Sequence, residues 1–528
     1  MNHSRTERPS LGRLRRVFLR TVLSAIGVTL CLVGGEVFLR IGITLGVGKL
    51  DNPANYVAPF CDDDYHKLRY LWRPGGALRT GRHIQHPWLG WVPAEDFSGF
   101  ESGSVAPIPD SRPADPRIVL FGDSFAAGVN PTRPFERIAA RLDAMIPQGK
   151  VINYAVAGYG VDQIYLRFTD VITDSNDAHQ VAIVGIFLGD IDRVLEHFRA
   201  GPKPYFEIES GSLALKGVPV RDTPEDWLAK NPPRVFSFSW ALARKRFGEV
   251  FLGELYGFET LCRRAEKEEI TSHLLKRMTV DAERAGAQLI FVVFYGQPHL
   301  VGESWRETFL LSELEALKAS FIDTKPLLVE ASRDRNDELE DYYFGPPNGH
   351  LNDRGNALVA DAFYDLLAQS FDWGPRPDPD ASRQTVSLGQ QGDLEIGGGE
   401  GWGFHGSNFS WMVEPSSSIF FSEVPPHGAL VVHLEVVGSL RQPEDDRHLS
   451  VRVNDEQVYQ RPLAEFPTNW GAFNLRVPVP RALVQGDSLS VTLELPYLLT
   501  PSDVRPGEND SRPRGVALKS MTLQALRR

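Results

Sequence analysis

Cysteine is scarce in this chain: three in 528 residues, Cys31, Cys61 and Cys262, with no CxxC pair. That spacing supplies neither a zinc ligand set nor a dithiol redox centre. It leaves Cys61 and Cys262 as candidates for a disulfide if they lie outside the cytoplasm, while Cys31, inside an apolar run, reads as a small buried thiol. Positive charge is also in deficit. Lys and Arg number 56 against 68 Asp and Glu, a formal net charge of −12, whereas nucleic-acid affinity comes mainly from cations that neutralise phosphates. No nucleic-acid partner is expected. His83 and His86 are three apart but lie on no helical pattern, and neither His66 nor His299 adds an obvious ligand, so no metal site and no cofactor is expected. The acidic run Asp62-Asp63-Asp64 reads as solvated charge. Long apolar runs are missing too, except at one place.

That place is the N-terminus. Residues 1 to 20 carry Arg5, Arg8, Arg13, Arg15, Arg16 and Arg20 against a single Glu7, and an uncharged apolar stretch from Thr21 to Gly35 follows. The run continues to Val47, broken only by Glu36 and Arg40, which is long enough for a helix to cross a bilayer. Basic residues before the span predict a cytoplasmic N-terminus and an exported remainder. A cleaved signal peptide is the competing reading, but no Ala-x-Ala site follows the stretch.

At this length two folded domains are expected behind the anchor. Residues 49–113 are rich in Pro, Gly, His and aromatics with little periodicity and read as an irregular lead-in, including His86-Pro-Trp-Leu-Gly-Trp91, where Trp88 and Trp91 line a sugar subsite or seal the domain. Near-continuous apolar runs then alternate with helical patterns. The runs are Arg117 to Phe121, Val151 to Val156, Val181 to Leu188 and Leu289 to Phe294, with helices over Phe135 to Met145, Leu274 to Ala287 and Ala357 to Phe371. This pattern predicts an α/β domain with a parallel sheet covered on both faces. Its ligand site belongs at the carboxyl ends of the strands, where Ser124, Gly158 and Asp190 fall.

Trp373-Gly-Pro-Arg-Pro-Asp-Pro-Asp380 has linker composition, and beyond it the pattern changes to short alternating strands over 430–436, 449–453, 473–477, 489–495 and 516–523. A β-sandwich or jelly roll is expected there. Trp402, Trp411 and Trp470 either pack its core or stack on sugar rings. The expected divisions are a basic tail at 1–20, a membrane helix at 21–48, the lead-in at 49–113, the sheet domain at 114–372, a linker at 373–384 and the sandwich at 385–528.

The residues that carry chemistry sit in the sheet domain. Ile118-Val-Leu-Phe-Gly-Asp-Ser-Phe-Ala-Ala-Gly128 puts a serine directly after a strand, where Gly122 lets the backbone turn sharply. Serine becomes a nucleophile only with a base in hydrogen-bond reach and donors aimed at the oxyanion that forms. Two further segments follow in order: Asn153-Tyr-Ala-Val-Ala-Gly-Tyr-Gly160 with Gln163, and Asn348-Gly-His-Leu-Asn-Asp-Arg-Gly355. This set resembles the SGNH/GDSL hydrolase family over roughly residues 86 to 371.

The resemblance implies a flavodoxin-like parallel sheet, Ser124 as nucleophile, His350 as general base and then general acid, and the Gly158 N–H as an oxyanion donor. It departs from the family at two blocks. The third block commonly contains Asn, but Phe187-Leu-Gly-Asp-Ile-Asp-Arg193 leaves Asp190 near that position as the oxyanion candidate. An ionised carboxylate cannot donate to an oxyanion, so either Asp190 is protonated, or it plays another part, or the hole rests on the Ser124 and Gly158 amides with a further group. Many relatives place Asp shortly before the His; here Asn348 and Pro347 stand there, and Asn can orient an imidazole but not stabilise its cation by charge. Asp353 is a substitute if the local turn permits.

The expected function is a serine esterase or O-acyltransferase, acting through an acyl-enzyme on Ser124, that removes or installs acetyl on an exported polysaccharide. It would sit in the inner membrane with its active domain in the periplasm and polysaccharide-export machinery as a candidate partner. The rival is a degenerate, non-catalytic glycan-binding or scaffold protein on the same fold; a phospholipase is a third reading.

Overall fold

The computed structural model describes residues 11–59, 63–72, 83–93, 116–128, 136–146, 149–173, 181–251, 262–345, 349–376, 383–388, 399–403, 409–425, 429–440, 442, 445–465, 473–484, 486–504 and 510–526. A long helix, α1 (Leu11–Thr44), comes first. Its segment Phe18–Thr44 has mean hydropathy 2.1 and is almost uncovered by the rest of the protein, so by length and composition it can cross a membrane. Cys31 is exposed on this helix instead of buried, Cys262 is a free, half-buried thiol, and Cys61 lies outside the described residues.

The lead-in is more ordered than its composition suggests. It holds α2 (Asp64–Trp72) and a hairpin of β1 (His83–His86) and β2 (Gly90–Pro93). The acidic run before α2 is not solvated charge. Asp63 and Asp64 are buried: Asp63 accepts from the N–H groups of His197 and Phe198 at 2.5 and 3.1 Å, and Asp64 pairs with Lys67 at 3.1 Å and accepts from the Arg234 N–H at 2.9 Å. Burying a carboxylate is tolerable when such donors replace water. Asp62 lies outside the described residues.

The sheet domain follows as β3 (Arg117–Phe121), α3 (Ser124–Ala127), α4 (Ile138–Met145), β4 (Lys150–Asn153), α5 (Val161–Ile172), β5 (Val181–Phe187) and α6 (Asp190–Arg193). It continues through a hairpin, β6 (Tyr205–Glu209) and β7 (Ser212–Lys216), then α7 (Pro224–Lys230), α8 (Phe238–Phe251), α9 (Arg264–Arg284) and β8 (Gln288–Phe294). It closes with α10 (Trp305–Ala316), β9 (Ser320–Asp323), α11 (Thr324–Arg335) and α12 (Asp353–Phe371). Five strands pair in parallel in the order β4-β3-β5-β8-β9, which in sheet-strand sequence is 2-1-3-4-5, the flavodoxin-like arrangement. The three central strands are buried on both faces, as their unbroken apolar sequence requires. In α12, Val359, Ala360, Phe363, Tyr364 and Leu367 repeat at helical spacing and form its buried stripe. Each fully buried aliphatic or Phe side chain of this core contributes about 1.5–3 kcal/mol.

The C-terminal region is antiparallel. Its strands are β10 (Arg383–Ser387), β11 (Gly399–Glu400), β12 (Trp402–Gly403), β13 (Ser410–Met412), β14 (Ser416–Phe421), β15 (Ala429–Ser439), β16 (His448–Val453), β17 (Glu456–Pro462), β18 (Phe473–Val479), β19 (Leu489–Glu494) and β20 (Val516–Leu526). One sheet runs β12-β13-β20-β15-β18 with β10 also on β20; the other runs β11-β14-β19-β16-β17. Leu430, Val432 and Leu434 of the first meet Leu449, Val451 and Val491 of the second in one apolar core, which makes the region a β-sandwich. Asn454 and Asp455 both adopt positive φ, 44° and 69°, in the two-residue turn joining β16 and β17. Trp411 is buried and Trp402 is half-buried with its indole N–H on the Ser418 carbonyl at 2.9 Å, so both are spent on packing; Trp470 lies outside the described residues.

Candidate active site

Ser124 owes its position to the turn that ends β3. Gly122 has φ +151°, and a Cβ there would come within 2.6 Å of the Ala126 Cβ and 2.8 Å of the Gly185 carbonyl oxygen on the neighbouring strand. Only glycine lets the chain turn this tightly over β5. Asp123 then caps α3, its Oδ1 accepting from the Phe125 N–H at 2.8 Å, and Ser124 opens the helix at the carboxyl edge of the sheet. This is the point between β3 and β5 where the strand order reverses.

His350 arrives from the far end of the domain. The chain that carries it is pinned on both sides: the Phe344 N–H donates to the His350 carbonyl at 2.8 Å, and the Asn352 N–H donates to the Tyr342 carbonyl at 3.0 Å. Asn352 caps α12 by accepting from the N–H groups of Arg354 and Gly355 at 2.9 and 3.2 Å. Leu351 is buried, and a Cβ on Gly355 would meet the Tyr342 carbonyl oxygen at 2.5 Å. The backbone of His350, the buried Leu351, the Asn352 cap and the close approach at Gly355 thus together deliver one ring. That ring packs on Phe125, with centroids 4.8 Å apart, and its Nε2 lies 2.8 Å from the Ser124 Oγ.

The serine proton has two acceptors in reach, His350 Nε2 at 2.8 Å and Asp123 Oδ2 at 3.2 Å. The nearer one is free to take it when the imidazole carries its own proton on Nδ1. Asp123 Oδ2 also receives an N–H from Arg193 at 3.1 Å, which leaves it a weaker competitor. Asn348, expected to orient the ring, lies outside the described residues; Asp353 is the first residue of α12.

Gly158 sits in the turn after β4 with φ +85°. The Val156 N–H donates to the Gly122 carbonyl at 3.0 Å, so this turn is stitched beside the serine turn. Among the described residues nothing accepts from the Gly158 N–H. The orientation of that peptide is set by Trp91 of β2, whose indole N–H donates to the Ala157 carbonyl at 3.2 Å. In a trans peptide the carbonyl and the following N–H point in opposite directions, so the Gly158 N–H is turned away from the indole. Trp91 is itself fixed: the Tyr159 hydroxyl donates to its carbonyl at 2.6 Å, and Gln163 donates to the Leu89 carbonyl at 2.7 Å. Trp91 therefore seals the domain, while Trp88 stays exposed.

Asp190 has a different use from an oxyanion donor. Its Oδ2 accepts from the Phe187 N–H at 2.9 Å and its Oδ1 from Arg193 at 2.5 Å, so both oxygens act as acceptors. Burial, reinforced by the nearby Asp123 charge, pushes its carboxyl well above the usual range against the opposing pull of Arg193. The residue the sequence reading passed over is Arg193. From one buried nitrogen it reaches Asp123 of the serine turn, Asp190 of the third block and the Tyr159 carbonyl of the glycine turn, at 3.1, 2.5 and 2.7 Å. The available signal was the Asp190–Arg193 spacing of three within a short helix, which puts both on one face. Beyond it, Glu196 binds Arg199 at 3.0 Å and His66 at 3.2 Å, and these partners hold its carboxyl far below the usual range against the effect of burial.

A parallel 2-1-3-4-5 sheet, a serine on the turn after its first strand and a histidine delivered ahead of its last helix give the molecule the architecture of the SGNH/GDSL type. No family model matches the sequence, and no curated protein does. Among solved structures the chain is similar to a two-domain esterase active on acetylated mannans, at 12% identity over 78% of this chain and 91% of that one, with a TM-score of 0.27. It is also similar to a lipolytic protein of the G-D-S-L family from Veillonella parvula, at 15% identity over 48% of this chain and 98% of that one, TM-score 0.28. An acetyl xylan esterase gives 13%, 48%, 99% and 0.28 in the same terms. Superpositions this loose leave the chemistry to be argued from the residues of the site.

Proposed function

We propose that the protein is a membrane-anchored serine esterase or O-acyltransferase that handles small acyl esters, acetyl above all, on an exported polysaccharide. The observation that carries this reading is the 2.8 Å contact between Ser124 Oγ and His350 Nε2 at the switch point of the sheet. In the reaction, Oγ attacks the acyl carbonyl while Nε2 takes the hydroxyl proton. The C=O electron pair moves onto oxygen, and the resulting oxyanion is met by the N–H groups of Ser124 and Gly158. Collapse breaks the bond to the sugar oxygen, which leaves with the proton from His350, and the acyl group stays on Ser124. Water, or a sugar hydroxyl in the transferase case, then gives its proton to His350 and attacks the acyl-enzyme to restore the serine.

The test uses the full-length chain with a fluorophosphonate, read by intact mass. Wild type is expected to gain one adduct, and Ser124→Ala none; His350→Ala is expected to slow labelling by about 10⁴-fold or more, as for loss of a triad base. Absence of labelling in the wild type would sink the catalytic reading. Acetate release from acetylated oligosaccharide in water, against acetyl gain by an added acceptor, separates hydrolase from transferase.

A further inference from the structure

Two charges, Glu36 and Arg40, interrupt the apolar face of α1, and the domain provides for both. Glu36 accepts from the Ser237 hydroxyl at 3.0 Å and from the N–H groups of Phe238 and Ser239 at 3.1 and 2.9 Å, so a side chain of α1 caps the start of α8. Arg40 donates to Glu36 at 2.8 Å and to the Phe236 carbonyl at 3.1 Å, with its guanidinium 5.0 Å from the Phe238 ring centre. Behind them Leu39, Ile43, Tyr56 and Ala241 form a small buried core. The outer end of α1 is therefore built into the domain and does not trail from it.

Beside this clamp, Phe236 is 95% exposed and Trp240 69% exposed. The Phe236 carbonyl is bound to Arg40, and one turn before Glu36 on the same side of α1 Leu32 is 65% and Val33 56% exposed. The level of this patch follows from helix geometry. Arg20 and Glu36 are sixteen residues apart, about 24 Å of rise. With both long side chains reaching outward, that matches a hydrocarbon core of about 30 Å. Glu36 and Arg40 then fall at the headgroup boundary on the domain's side, and Phe236 and Trp240 fall there with them. Interfacial depth is where aromatic side chains concentrate.

We propose that Phe236 and Trp240 insert into the membrane interface beside α1, so that the sheet domain is held against the bilayer in one orientation. The occupant is lipid because the patch is continuous with a helix surface whose apolar exposure suits hydrocarbon. The proposal rests on α1 being retained as an anchor, and the clamp favours retention, since removing α1 would strip the cap from α8.

The test reconstitutes the full-length chain, with its three cysteines changed to serine, into vesicles of phosphatidylcholine and phosphatidylglycerol. A solvent-sensitive fluorophore is attached through Trp240→Cys or, as control, through Val301→Cys, a position 80% exposed on the same domain. The expected result is blue-shifted emission quenched by spin-labelled lipid at 240, and water-like emission at 301. Adding Glu36→Ala and Arg40→Ala is expected to lose the shift at 240 while the chain stays in the vesicle fraction. Water-like emission at 240 would overturn the proposal. So would a blue shift that disappears when each lipid disc holds a single copy, which would assign the patch to self-association. Recovery of a soluble chain lacking α1 would overturn the anchor and the proposal together, whereas fluorophosphonate labelling of Ser124 tests the esterase reading separately.

Discussion

The sheet domain and the sandwich bury polar groups in opposite ways. In the sheet domain charged side chains are buried in clusters at the carboxyl edge of the strands: Asp123, Asp190 and Arg193 around the serine turn, and Asp192 with Lys267 and Arg306 at 2.7 Å each just behind it. In the sandwich the described buried ion pair is Asp445 with Arg447, at 2.6 Å, and the rest of the inner face is aliphatic with a few hydroxyls and amides. Buried ion pairs rarely add net stability, because desolvation consumes most of the attraction. Their concentration in one domain therefore marks where geometry, not stability, is being specified.

The strongest way to break this comparison is Arg193→Met. It leaves two buried carboxylates facing each other, and a loss of about 3–5 kcal/mol in the sheet-domain transition is expected by urea unfolding. If stability holds, the cluster is not organised around this guanidinium. Asp445→Asn in the sandwich is expected to cost about 3 kcal/mol in that domain's own transition while Ser124 labelling proceeds at the wild-type rate. A change in labelling would show that the two regions are coupled.

Trp91→Phe keeps the ring and removes the donor to the Ala157 carbonyl. With p-nitrophenyl acetate, kcat is expected to fall about tenfold, some 1.4 kcal/mol of transition-state stabilisation, with KM little changed. An equal change in KM would point to general loosening of the site. The smallest effect concerns Asp190. Its raised carboxyl pKa means that its contribution to stability is complete below the ordinary Asp value of 3.8 and is lost as pH rises through the folded-state value. Asp190→Asn is therefore expected to flatten the decline of Tm as pH rises above 3.8, and an unchanged slope would show that Asp190 is ionised throughout.

Where the sequence is periodic it is also readable. The strand over 117–121 and the antiparallel strands after residue 430 appear within a few residues of their expected positions, because each is a run of buried β-formers bounded by turn residues. The β1–β2 hairpin escapes notice because four-residue strands show too little alternation, and β9 because its residues are only half-buried. Ser124, Gly158 and His350 are visible since a small motif surrounds each. Arg193 shows only its local spacing to Asp190, because its links to Asp123 and the Tyr159 carbonyl come from distant segments. Trp91 is visible as a sealing residue but not as the donor to the Ala157 carbonyl, since long-range pairing leaves no local pattern. The same limit hid the burial of Asp63 and Asp64.

The clamp between α1 and α8 bears on how the protein can be handled. A chain started near residue 50, the customary way to shed a membrane helix, would leave the Phe238 and Ser239 amides without their carboxylate and the side of Tyr56 that met Leu39 and Ile43 wet. Clipping just before Glu36 keeps the cap, the packing and the last two turns of α1. Helix α1 is thus two pieces in one, a shaft that the rest of the protein leaves uncovered and a socket that belongs to the body of the sheet domain.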